Sequence, residues 1–302
     1  MRKLHIAVIF ICLLAMLSAV ACGAQSGSTE DDSKHQQPKP LTGSAEDFER
    51  ARFDDPTHID NRWLPLKPGT QFVYEGSAID DDERISRRVV STVTDLSKVI
   101  DGVRTLVISE RDYTAGQLSE PELAFFAQDN GGNVWLVGEY PEEYDEGKFD
   151  KAPAWISGQK DARAGIAMLA EPRRGVPTYA QGFAPPPADF TDRARVYKTD
   201  QQTSTPVDRY ENVLVTEEFN PDEPGAFQLK YYASGVGNVR VGWRGEKEEE
   251  KETLELVDLN HLDPEALAKV RRKALEMDRR GYERSEVYRE TPKAEHTLGV
   301  SQ

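Results

Sequence analysis

From Gln71 to Val257 the chain repeatedly alternates apolar and polar residues over short stretches, each closed by a turn. Alternation with period two sends every second side chain to the same face, which defines a half-buried strand. Gln71-Phe72-Val73-Tyr74-Glu75 follows the turn Pro68-Gly69-Thr70, and Arg87 to Thr94 is a second such run. Val103 to Ser109 and Leu118 to Gln128 continue the series, the latter interrupted by Pro121. Asp129-Asn130-Gly131-Gly132 forms a tight turn and Asn133 to Glu139 returns from it, the clearest hairpin signal in the chain. Arg195 to Thr199, Asn212 to Phe219, Phe227 to Ala233, Gly237 to Trp243 and Glu252 to Val257 complete about ten strands. Short strands at this spacing predict a mainly β protein, a curved antiparallel sheet or partial barrel.

Its two cysteines, Cys12 and Cys22, both lie near the N-terminus, so a domain beyond residue 46 has no disulfide of its own. Stability there must come from an apolar core, for which 46–258 is long enough as a single domain. Trp63, Leu64 and Leu66 are placed to pin the Pro-containing lead-in to that core, and Ile79 to Arg84 reads as an acidic hairpin tip. Tyr140 to Pro187 is rich in Pro and Gly and is expected to be an irregular excursion, of a kind that often carries function. The region 259–290 changes period. Asp263-Pro264-Glu265 supplies an N-cap, a first-turn Pro and a first-turn acid. Leu267, Val270, Ala274 and Met277 make a helical apolar stripe, and Gly281 is the expected stop. The bases on its other faces are expected to be solvated or paired with the acidic body, with a second surface as the alternative. Residues 291–302 are expected to be a disordered tail.

The N-terminus carries an export signal. Basic Arg2-Lys3 precede an apolar run from Ile6 to Val20, shorter than the roughly 20 residues a permanent span needs. Residues 1–21 therefore read as a signal peptide, ending in Ala19-Val20-Ala21-Cys22-Gly23. This site resembles the processing site of bacterial lipoproteins, in which the Cys is acylated and becomes the new N-terminus. Ala19 stands where that family prefers Leu. The resemblance implies a lipid on Cys22, with plain secretion as the alternative. It places the domain in the cell envelope, lipid-anchored to a membrane on the extracytoplasmic side. Residues 22–45 are Ser-, Gly-, Gln-, Asp- and Pro-rich and read as a flexible tether, with a reach on the order of 25 Å. The net charge of −15 argues against nucleic acid as a partner and against direct docking on anionic lipid.

Three further stretches, Trp63 to Gly76, Phe126 to Glu139 and Gly235 to Val239, resemble a group of uncharacterised bacterial exported lipoproteins. No activity is attached to that group, so no catalytic residue carries over. The strand pattern is also similar to the lipoprotein-carrier type of fold, a curved antiparallel sheet around an apolar cavity.

Of the five His, His58 and His261 are near folded structure, and both flank polar turns that suit solvated or capping roles. No zinc motif, nucleophile elbow or phosphate loop occurs, so no catalytic residue, metal or cofactor is assigned. Ser157-Gly158-Gln159-Lys160 has Ser-x-x-Lys spacing, but Gly158 disfavours the helical turn that chemistry needs. Asp80 to Glu83 offers hard oxygens without the spacing of a calcium loop and reads as a solvated tip. Trp135, Glu139, Trp155 and Tyr179 are the candidate ligand-lining residues; the bland alternative has the aromatics packing the core and Glu139 ending a strand. These features predict a non-enzymatic module binding an envelope partner or an apolar molecule. The alternatives are a structural surface module without ligand and a carboxylate-based polysaccharide hydrolase.

Overall fold

The computed structural model describes residues 47–80 and 82–297. The expected signal peptide 1–21, the Cys22 read as a lipidation site, the expected tether 22–45 and residues 298–302 of the expected tail lie outside the described residues.

In chain order the strands are β1 (Thr70–Asp80), β2 (Glu83–Ile100), β3 (Val103–Thr114), β4 (Gln117–Gln128), β5 (Val134–Pro141), β6 (Glu143–Asp145), β7 (Lys148–Lys151) and β8 (Trp155–Ile156). They continue with β9 (Arg163–Met168), β10 (Tyr179–Ala180), β11 (Gly182–Phe183), β12 (Arg193–Ser204), β13 (Arg209–Phe219), β14 (Phe227–Ala233), β15 (Gly237–Arg244) and β16 (Thr253–His261). Helices α1 (Pro264–Arg284) and α2 (Glu286–Arg289) precede a last short strand, β17 (Glu295–His296). The fold class agrees with the sequence: one large antiparallel sheet and a C-terminal helix. There are more strands than expected because the Tyr140–Pro187 excursion contributes short ones, of which β9 is the longest.

The sheet runs β10-β12-β13-β14-β15-β16-β1-β2-β3-β4-β5-β9-β11. Its two ends meet in one segment. β10 pairs with β12, and β11, one residue further on, pairs with β9, so the sheet nearly closes on itself as a barrel. The closure depends on Gly165, where a Cβ would stand 2.3 Å from the backbone of Gln181 and Gly182.

The alternation of β3 fixes the two faces. Leu106 and Ile108 join the interior cluster, while Val107 joins a second cluster on the outside with Leu123, Phe125, Trp135 and Val137. The helices cover this outer cluster: Ala274, Met277 and Tyr288 pack into it. Asp263 caps α1 as expected, its carboxylate accepting from the Ala266 N–H at 2.8 Å. Gly281 is no stop, because α1 runs on to Arg284. Its role is close approach: a Cβ there would fall 2.4 Å from the Tyr288 ring.

Two polar clasps hold the helices. The Lys98 ammonium, on β2, donates to Asp278 Oδ1 at 2.8 Å, Tyr282 OH at 2.9 Å and the Pro292 carbonyl at 2.5 Å. It also stands 4.2 Å from the Tyr288 ring centroid. In the second clasp, buried Glu142 accepts from Arg280 Nε and Nη2, each at 3.0 Å, and from the Tyr140 hydroxyl at 2.6 Å. Arg284 pairs with the same carboxylate at 2.8 Å. Ordered chain continues beyond residue 290, where the sequence reading starts a tail. Thr291 and Ala294 are buried, and β17 pairs with β2 at Ser97 and Leu96. The lower half of β2 extends past β1, and β17 supplies the backbone partners that this stretch otherwise lacks.

The lead-in crosses one end of the barrel. Asn61 donates its amide to the Gly132 and Leu169 carbonyls, and the Arg62 carbonyl accepts from the Gly235 N–H. Leu64 and Leu66 are buried beneath, as their sequence context predicts.

Candidate binding site inside the barrel

The interior is layered. Next to the lead-in lies an apolar layer, where a small cavity, with room for about one water molecule, is lined by Leu64, Leu66, Phe72, Ile108 and Phe126. Its polar groups are Tyr74, Ser91 and Asn238. The Tyr74 hydroxyl donates to the Asn238 carbonyl at 2.9 Å, which fixes both. Burial, with Glu110 nearby, pushes the Tyr74 phenol up, so it stays neutral at physiological pH.

Above this layer the same alternation turns acidic. Glu110 and Asp112 continue the inward face of Ile108, and they pair across the sheet with Glu122 and Glu120 on β4. Glu139 on β5 is opposite Ala124 and so shares that face. All five are at most 3% exposed. Burial raises Glu110 well above the usual carboxylate range, reinforced by Asp112, while Ser91 and Lys230 oppose the shift. Burial, then Asp112, raises Glu120, and burial, then Glu139, raises Glu122. The bases facing these acids are Arg87, 3.3 Å from Glu252 and 3.5 Å from Asp112, and Lys230, 2.8 Å from Glu218. With fewer bases than acids in a low-dielectric interior, protonation is the cheaper state for several of these carboxyls. Among the described residues no group of three or more His, Cys, Asp or Glu is arranged to hold a metal ion.

The four sequence candidates are not gathered in one place. Glu139 and Trp155 meet inside, the indole N–H donating to Glu139 Oε2 at 2.7 Å, with Phe190 stacked on Trp155 at 5.1 Å. Trp135 points to the opposite face of β5 and donates to Asp129 at 2.8 Å. Tyr179 lies opposite Ala194, itself opposite Glu218, so it faces the interior, and burial, with Glu218 nearby, pushes its phenol up. The Ser157–Lys160 spacing brings nothing together. Ser157 donates to Asp101 at 2.8 Å, whereas Lys160 pairs with Glu286 at 3.2 Å. His58 and His261 are both exposed. Sequence reasoning missed the interior acids. Glu110, Asp112, Glu120 and Glu122 sit on alternate positions of strands, where a charged residue normally reads as the solvent face. The detectable signal was their register with Ile108 and Ala124, which places them on the apolar face.

The fold and interior define a lead-in-plugged, nearly closed antiparallel barrel clasped by a C-terminal helix. Among solved structures, it is similar to a Bacteroides fragilis protein described as exported and of YmcC-like fold. The identity is 13% and the TM-score 0.36, over 66% of this chain and 99% of the other. It is also similar to a protein from Parabacteroides distasonis described as a lipoprotein, at 13% identity and a TM-score of 0.35, over 68% of this chain and 100% of the other. No family profile matches the sequence, and no curated protein matches it. Among the described residues, no helix is long and apolar enough to cross a membrane.

Proposed function

We propose that the protein is a non-enzymatic binding module of the cell envelope, tethered through a lipid on Cys22, whose barrel takes a small molecule with an apolar body. The apolar cavity beside the lead-in carries this reading. Apolar walls with a few fixed polar groups are the usual make-up of a small-molecule site. The free space there is about that of one water molecule, so a ligand enters only where the lining side chains or the lead-in give way. The hydrolase alternative draws on the interior carboxylates. Those acids are at most 3% exposed, whereas a polysaccharide needs two carboxyls open to it together. The structural-module alternative predicts an empty cavity.

The test is native mass spectrometry of a soluble Cys22→Ala form, compared with the same form carrying Ile108→Trp, which fills the cavity. The expected result is a small molecule at near one-to-one occupancy that the filled variant loses. An empty barrel after ligand screening by thermal shift, or equal occupancy in both forms, overturns the reading. Intact mass of the membrane-extracted native protein tests the anchor separately.

A further inference from the structure

The outer face of β12–β15 has a chemistry unlike the acidic interior. Register places Arg195, Glu217, Leu229 and Gly242 in one row across four strands, with Phe227 opposite Arg244 and Tyr231 opposite Arg240. The Arg244 guanidinium stands 4.0 Å from the Phe227 ring centroid and 4.8 Å from that of Tyr197. Arg195 lies 5.6 Å from Phe219, whose ring is 5.8 Å from Phe227. Lys198 stands 4.8 Å from Tyr197.

Glu217 organises the pair from below. Its side chain is 0% exposed, Oε1 pairs with Arg195, and Oε2 accepts from Arg244 Nε at 2.5 Å. One buried carboxylate thus fixes two guanidinium groups, yet these stay 42% and 33% exposed. A guanidinium has five N–H donors, so most remain for a further acceptor. Glu255 on neighbouring β16 stands 3.3 Å from Arg240, and the exposed Glu211 lies on β13. Gly242 keeps the end of the row low: a Cβ there would meet only the Tyr231 ring, at 3.6 Å.

Two bases share Glu217, as Arg280 and Arg284 share Glu142, but here the guanidinium groups are more exposed, 42% and 33% against 28% and 25%, and Lys198 adds a third positive charge beside them. The geometry points to a binding face for an acidic polysaccharide, one that bears carboxylates on its sugar rings. The fixed guanidinium groups match carboxylates bidentately. The half-buried rings of Tyr197, Phe219, Phe227 and Tyr231 offer apolar surface to the C–H faces of sugars. The net charge of −15 repels any polyanion as a whole, so what favours a sugar chain over an anionic membrane is the set of rings among the bases. This face is separate from the interior cavity and stands or falls without it.

The experiment is biolayer interferometry of the full-length protein in zwitterionic detergent on immobilised polygalacturonate. Neutral dextran, polyglutamate and anionic vesicles serve as comparisons. The expected result is salt-sensitive binding to polygalacturonate that exceeds binding to the other three. The Arg195→Gln/Glu217→Gln/Arg244→Gln triple variant, which leaves no unpaired buried charge, is expected to bind at least about tenfold more weakly. Tyr197→Ser/Lys198→Ser, a milder change, is expected to weaken binding with an unchanged melting point, which separates recognition from folding. No binding to polygalacturonate, equal binding to any of the comparisons, or full binding by both variants overturns the inference.

Discussion

Replacing Lys98 by Met tests whether the buried clasp holds the helices to the barrel. The Lys98 side chain is 0% exposed and its three donors are all used, while its partner Asp278 is 6% exposed. Met fills a similar volume, so the change removes the charge and the hydrogen bonds with little loss of packing. Asp278 keeps the Tyr288 hydroxyl at 2.7 Å and the Ala294 N–H at 3.3 Å, but its charge loses its counter-ion. Removing one partner of a buried pair costs about 3–5 kcal/mol. For a domain of this size that lowers the melting temperature by about 6–20 °C. The double variant Lys98→Met/Asp278→Asn removes both charges and is expected to regain at least about 2 kcal/mol of the loss, since a neutral pair costs far less to bury. Urea unfolding followed by circular dichroism measures both, with hydrogen exchange over 264–289 reporting whether the helices detach first. A single variant within about 1 kcal/mol of wild type, or a double variant no better than the single, refutes the clasp as a source of stability.

Other outcomes follow from the same geometry. Burial pushes Glu252 up to about 7, with Arg87 opposing, and pushes Glu250 up to about 8, with Glu252 adding. The native state therefore holds protons that the unfolded chain releases above its ordinary carboxylate range. Stability is expected to fall as pH rises from about 5 to 8, by about 1–3 kcal/mol. Glu252→Gln should flatten that dependence in urea melts, and a curve that rises over this interval contradicts the assignment. Glu142→Gln is expected to cost about 1–3 kcal/mol, because Arg280 and Arg284 lose their shared acceptor but reach solvent; denaturant midpoints check it. Gly165→Ala should be among the most damaging single changes, since its Cβ meets backbone and not a movable side chain. Soluble yield and melting temperature would show it, and a near-wild-type protein would mean that the barrel closes differently.

The fold was legible where period and turn chemistry agreed. The Asp129–Gly132 hairpin, the acidic β1–β2 tip and the Asp263 cap all depend on contacts within a few residues. What the sequence hid depends on long-range partners. The closure at Tyr179–Phe183 joins strands too short to show a period. Gly281 reads as a helix stop, and only the packing of Tyr288 explains it otherwise. Residues 291–297 read as a polar tail because their anchors, Lys98 and the edge of β2, lie far back in the chain. Of the candidate ligand-lining residues, Glu139 and Trp155 meet inside the barrel, whereas Trp135 falls on the outer face of the same strand as Glu139.

The bases of α1 illustrate how charge pattern and charge use differ. A helix rich in Lys and Arg on an acidic chain invites the idea of a second docking surface. Arg280 and Arg284 converge on Glu142, and Arg271 pairs with Asp95, so these three bases fix the helix to the barrel. Lys269 and Arg279 pair within the helix, with Glu265 and Glu283. Such exposed pairs add little stability, but they leave less positive charge for another surface. On β12–β15 Arg195 and Arg244 likewise share one carboxylate, but they stay more exposed, 42% and 33% against 28% and 25% for Arg280 and Arg284, and Lys198 stands beside them. A partner that seeks positive charge on this acidic protein therefore meets a better-organised surface on the open sheet than on the helix.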